Sequence, residues 1–328
     1  MNDIRTIQSF FDMFSGIISA ISFIASLIVI KVFYLKNLQK NVTNQFVMQL
    51  ILSEMINNIN HVSPVINNFI GRKEEKYYER RRVCFSQMYA SLFSNFYTLF
   101  SSFLISFRIY DLLVKNSTTF RNVKNVKIAK LFSFYFCALI SYIFWFLQVE
   151  VFQKIRGTRT YFRVLTCWVD FQLDCASLVI FGIFIILTFI YCIKSRSFVQ
   201  NYQKRFYEEE DQLNINELEQ QKSLEEIQKI KVVQKRLVLY PITTTILYSL
   251  IIVYRILSYL RGDNNTIKII CLLLYSLTSV LRGMIFIIIY FGTQQVFREG
   301  LYEFFLCRKE AKIIIPEKLN LEEIEDQI

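Results

Sequence analysis

Apolar runs long enough to cross a membrane alternate with short charged connectors along almost the whole chain. A hydrocarbon core about 30 Å thick takes roughly 20 residues of helix, at about 1.5 Å of rise each. Charge-free runs near that length occupy Met13 to Ile30, Val83 to Phe107, Leu131 to Val149, Cys175 to Ile193 and Leu237 to Tyr254. Two more contain a single charge: Glu54 interrupts Val42 to Ile70, and Arg282 interrupts Ile269 to Phe297. Backbone amides in lipid must be bonded within their own segment, so each run predicts a helix. The pattern predicts an all-α membrane protein, a seven-transmembrane helix bundle. Its helices are expected from Gln8 to Tyr34, Thr43 to Ile70, Cys84 to Leu113, Ile128 to Val151, Gln172 to Ser195, Leu237 to Leu260 and Thr266 to Phe291.

These runs divide the chain. Residues 1–8 form a short extracellular N-terminus and 9–293 the bundle, with a cytosolic loop over 196–236 between helices five and six. That loop is charged. Glu225 and Glu226 precede Lys229 and Lys231 by four to five residues, which predicts helical extensions around a flexible middle. Beyond helix seven, Val296, Phe297, Leu301, Phe304 and Phe305 recur at helical period, predicting a short amphipathic eighth helix over 294–308. The stretch 309–328 is an acidic cytosolic tail.

Composition narrows the function classes. Hydrophobic residues make up 53% of the 328, and seven spans with short connectors leave no length for a soluble catalytic domain. The net charge of +11 would suggest nucleic acid in a soluble chain. In a membrane chain it is first a question of sides, and no nucleic-acid partner is expected. With the N-terminus outside, about 23 basic residues fall in the cytosol and about 13 outside. The cytosolic set includes Lys31, Lys36, the Arg121 to Lys130 cluster and Lys229 to Arg236; Arg80, Arg81 and Arg82 fall in an outer loop.

His61 is the only histidine and no Cys-x-x-Cys spacing occurs, so neither a metal nor a cofactor is expected. Cys84 opens helix three and Cys167 precedes helix five, both on the expected outer, oxidising side. A Cys84–Cys167 bond would pin the intervening loop over the bundle, with Cys175 and Cys271 as competing partners.

Glu54 and Arg282 carry the most informative chemistry. A charge at mid-membrane costs on the order of 3 kcal/mol and turns toward the bundle interior. Each lies some 10–12 residues from the expected cytosolic end of its helix, roughly 15–18 Å deep. Either the two pair across helices two and seven, or each snorkels or binds Asn57, Asn58 or Ser279 separately. Asn57, Asn58, Asn60 and His61 add a polar stripe to helix two, expected to hydrogen-bond between helices. His61 reads as a hydrogen-bonded structural residue, with proton sensing as the alternative.

Short motifs add a resemblance. Cys84-x-x-Gln87, Cys167-Trp168, Leu52-Ser53-Glu54 and Tyr240-Pro241 resemble landmarks of the cyclic-AMP-receptor-like family of G protein-coupled receptors, close to the secretin and adhesion receptors. Arg282-Gly283, Tyr290 and Gln295-Val296 are similar to the Gln-Gly, Tyr and Glu-Val landmarks of secretin-type helix seven. Glu54 departs from the family's Asp, Arg282 from its Gln, and Phe286 stands where an Asn is expected.

The resemblance implies a plasma-membrane receptor that passes an extracellular signal to a heterotrimeric G protein. On that reading Gln87, Trp168 and His61 are candidates for the ligand pocket. Arg108, Asp111 and Pro241 are candidates for activation and coupling. Arg108 and Asp111 equally suit a place where helix three meets the headgroups, and Pro241 a tolerated N-terminal helix position. Basic outer residues such as Arg72, Lys73 and Arg156 suit an anionic ligand, and equally an acidic cell coat. A seven-helix channel or transporter is the alternative, weakened by the lack of internal repeats. A retinal protein would need a lysine amid helix seven, where only Lys268 stands, at the outer end. One histidine and one embedded carboxylate are too few for a membrane hydrolase, so no enzyme is expected.

Overall fold

The computed structural model describes residues 2–38, 42–69, 77–111, 123–147, 162–163, 166–167, 171–212, 238–257, 265–293 and 298. Seven long helices account for nearly all of them. They are α1 (Asn2–Leu35), α2 (Val42–Phe69), α3 (Tyr77–Tyr110), α4 (Val123–Phe146), α5 (Phe171–Gln212), α6 (Val238–Leu257) and α7 (Asn265–Thr293). Two short strands, β1 (Phe162–Arg163) and β2 (Thr166–Cys167), pair antiparallel, with Phe162 opposite Cys167 and Arg163 opposite Thr166. Strand β2 lies against α3.

Six of the helices are long and apolar enough to span a membrane. The seventh, α2, has the length but is too polar to meet that measure, because Glu54, Asn57, Asn58, Asn60 and His61 all lie within it. The chain is an integral multi-pass membrane protein with a seven-helix bundle. Among its most exposed apolar side chains are Tyr135, Val179 and Ile288, which the bundle turns outward toward lipid.

Several helices run further than expected. The apolar criterion marks only the part of a helix in hydrocarbon, whereas hydrogen bonding continues through charged turns beyond it. Thus α1 begins at Asn2, so its helix already runs through the expected N-terminal segment before the apolar span starts at Met13. Helix α3 begins at Tyr77, which moves Arg80, Arg81 and Arg82 from the expected loop into its opening turns. Helix α4 begins at Val123. Helix α5 continues to Gln212, the kind of helical extension expected within the loop 196–236. At its other end α1 stops at a left-handed Asn37 (φ 52°), a conformation that asparagine tolerates. The preceding turn closes through Lys36 N–H donating to Val32 O at 2.9 Å. Apart from Arg298, the expected eighth helix lies outside the described residues, as does the acidic tail.

Helix α3 is the axis of the bundle. Of its span 78% is buried, against 22% for α4. It packs on α2, α4 and α5, while α1 and α7 pack on each other and on α2. The α3–α4–α5 side is filled by rings. Phe100 lies 5.6 Å from both Phe136 and Phe184, and Phe96 is 5.1 Å from Phe181. On the other side a stripe of small residues on α1, Ser15, Ser19, Ser22 and Ser26, is buried and lets helix backbones approach.

Candidate functional site

The site starts from one face of α2. Glu54, Asn57, Asn58 and His61 follow the spacing i, i+3, i+4, i+7, which stacks them on one side of a helix. All four are buried. The facing turns of α7 supply Ser279, Arg282 and Gly283, and α3 supplies Asn95 and Thr98.

Glu54 and Arg282 pair directly. Arg282 Nε donates to Glu54 Oε2 at 2.9 Å and lies 2.7 Å from Oε1, with both side chains essentially fully buried. The separate-partner alternative does not hold for these two charges. Thr98 Oγ1 donates to Glu54 Oε1 at 2.8 Å, and Ser53 Oγ stands 2.7 Å from Thr98 Oγ1. Arg282 Nη1 donates to Asn95 Oδ1 at 3.0 Å, while its guanidinium carbon lies 4.7 Å from the centre of the Tyr248 ring. Nη2 has no hydrogen-bond partner among the described residues. Removing two charges from water is expensive, and such a pair holds only when further hydrogen bonds complete it.

Tyr248 brings α6 into the site. Its hydroxyl lies 3.1 Å from Asn95 Oδ1 and 3.2 Å from Asn95 O, and Phe181 of α5 packs edge-on to its ring at 5.8 Å. Further along α2, Asn57 Nδ2 donates to Ser279 O at 3.1 Å, and His61 Nε2 stands 3.2 Å from Ser279 Oγ. Asn58 Nδ2 donates to Ser22 Oγ of α1 at 2.9 Å. Gly283 faces this last contact. A Cβ there would fall 2.7 Å from Ser22 Oγ and 2.9 Å from Asn58 Nδ2, so glycine is what lets α7 close on α1 and α2.

The remaining candidates are spread along the bundle. Gln87 is half-buried, and its carbonyl accepts from Asn60 Nδ2 at 3.0 Å, linking α2 to α3. Arg108 and Asp111 are both buried at the end of α3 rather than turned out toward headgroups. Pro241 is buried near the start of described α6, beside Tyr240, whose hydroxyl is 3.3 Å from Thr293 Oγ1 of α7. Trp168 and the side chains of Cys84 and Cys167 lie outside the described residues. Cys175 and Cys271, the two competing partners, are free thiols. Among the described residues no three His, Cys, Asp or Glu side chains gather as metal ligands.

Asn95, Thr98 and Tyr248 were not singled out by sequence. Asn95 and Thr98 lie one turn apart in a charge-free run, but among its many serines they offered only a weak signal. Tyr248 is one of many aromatics and offered none.

No protein-family model matches the chain, and no curated protein does. The crystal structure of squid rhodopsin is similar over 97% of this chain and 89% of its own, with a TM-score of 0.61 and 15% sequence identity. The likeness is one of fold. It agrees with seven helices in rhodopsin-like arrangement and leaves ligand and transducer to be argued from the residues.

Proposed function

We propose that this chain is a G protein-coupled receptor of the cyclic-AMP-receptor-like kind, in the plasma membrane with its N-terminus outside. The observation that carries the receptor reading against a transporter is the buried Glu54–Arg282 pair, which ties α2 to α7 and extends to α3 and α6. The family likeness rests on the sequence motifs around Cys84, Cys167 and Tyr240. A transporter path needs embedded charge that meets water and cargo; here the two charges satisfy each other and hold helices together. A signal at the outer face would favour an arrangement with α6 moved outward, opening a cytosolic cavity for the G protein. Pro241 supports bending of α6, since a proline leaves a helix carbonyl without its donor. Arg108 and Asp111, at the cytosolic end of α3, would face the cavity as it opens.

The outer face would bind the ligand near Gln87, Trp168 and His61, and its basic loops suit an anionic one. A Cys84–Cys167 disulfide would fix that entrance. The packing of β2 on α3 and the free thiols of Cys175 and Cys271 support it. Non-reducing peptide mapping should recover the two cysteines linked, and free thiols at both would remove the disulfide.

G protein dissociation in cells expressing the chain, against a panel of nucleotides, peptides and small metabolites, tests the function. Dissociation on addition of one class, abolished by Glu54→Leu at matched surface level, is expected. A ligand-gated current with no dissociation would replace the receptor by a channel.

A further inference from the structure

The charge pair ties α2 to α7, yet one of its flanks is closed by neither helix. The face of the Arg282 guanidinium is covered by the Tyr248 ring of α6 at 4.7 Å. One edge of the guanidinium reaches Glu54 through Nε, and Nη1 reaches Asn95 Oδ1. The same Asn95 oxygen lies 3.1 Å from the Tyr248 hydroxyl. Arg282 and Tyr248 therefore share one acceptor on α3, and the ring and hydroxyl of a single α6 residue meet both.

We infer that Tyr248 is the positioning residue that makes the placement of α6 and the integrity of the Glu54–Arg282 pair one equilibrium. Outward movement of α6 withdraws the ring from the guanidinium and the hydroxyl from Asn95, leaving a charged group in low dielectric with fewer partners. Loosening the pair lets Arg282 swing from beneath the ring and removes what holds α6 inward. Coupling of this kind is reciprocal. Tyr240, two turns away on the same helix, supplies the internal contrast. Its hydroxyl meets Thr293 Oγ1 at 3.3 Å, a tie between α6 and α7 that touches no charge.

The inference rests on the receptor reading only for its use in signalling; the coupling itself needs neither ligand nor G protein to be measured. Spin labels carried by non-natural amino acids at exposed Leu239 of α6 and Ile128 of α4 report α6 placement with the native cysteines kept. Tyr248→Leu should raise the ratio of separated to apposed populations on the order of tenfold, within the usual range for coupled sites. Tyr248→Phe, which keeps the ring over Arg282, should restore most of the native distribution. In an E54L/R282L background Tyr248→Leu should add little, whereas Tyr240→Phe should shift the distribution equally in both backgrounds. An unchanged distribution in Tyr248→Leu overturns the inference. So does an equal shift with and without the charge pair, since Tyr248 would then act by packing on Phe181 alone. Either result leaves G protein dissociation free to stand or fall separately.

Discussion

Where α1, α2 and α7 meet, the contacts are polar and directional: Asn58 to Ser22, Asn57 to Ser279, Arg282 to Glu54. Where α3, α4 and α5 meet, they are rings at centroid distances of 5–6 Å, such as Phe100 with Phe136 and Phe184. The difference follows from the solvent. Lipid is as apolar as a phenylalanine, so burying a ring between helices gains packing and almost nothing from leaving the surroundings. A carboxylate or guanidinium, by contrast, has only its partner in the bundle. The polar half should tolerate no unmatched change, while the aromatic half should degrade by degrees.

The sharpest break in that comparison is at the ion pair. Glu54→Leu or Arg282→Leu alone leaves a buried charge unpaired and should cost about 3–5 kcal/mol. The loss would appear as reduced surface level and a lower unfolding temperature in detergent. The E54L/R282L double change should be milder than either single, and the exchange E54R/R282E should recover part of the loss. Singles no worse than the double would show that the pair is not what holds these helices.

On the aromatic side, Phe100→Ala removes packing but little transfer energy, so about 2 kcal/mol is expected, below the 3–5 typical of water-soluble cores. Phe100→Leu should stay under about 1.5 kcal/mol. Thermal unfolding of purified protein gives both numbers, and a Phe100→Ala loss as large as that of Arg282→Leu would erase the contrast. Gly283→Ala should also cost less than breaking the ion pair. Its methyl would crowd Ser22 Oγ and Asn58 Nδ2, costing about 1–2 kcal/mol. Adding Ser22→Ala should relieve part of that cost in the same melting assay. No relief would mean that the crowding lies elsewhere on α7.

The same asymmetry decided how much could be read from sequence. Polar residues stand out against an apolar run, so Glu54, Arg282, Asn57 and His61 were visible and two of them fell at matching depth. Two helices of known direction place equal residue counts at equal heights, which allows a pair and leaves separate partners equally open. What depth does not give is rotation about each helix axis, which decides that Asn95 and Tyr248 complete the site. Aromatic positions were nearly silent, since Phe134 facing Tyr97 and Tyr135 facing outward look alike in a sequence. Helix ends were misplaced for a related reason. Tyr77 to Val83 of α3 is helical without being apolar; so is Arg196 to Gln212 of α5, where the charged loop already predicts a helical extension.

That last stretch gives α5 a reach no other helix has among the described residues. At about 1.5 Å per residue its 42 residues extend roughly 63 Å, about twice the thickness of a hydrocarbon core. The stretch beyond its apolar span, which ends at Asn201, works as a boom anchored in the bundle. A tilt of about 10° at the membrane surface sweeps a point roughly 16 Å out through nearly 3 Å. Small rearrangements around Phe181 and Phe184 would then be read at Gln212 as displacements the size of a side chain.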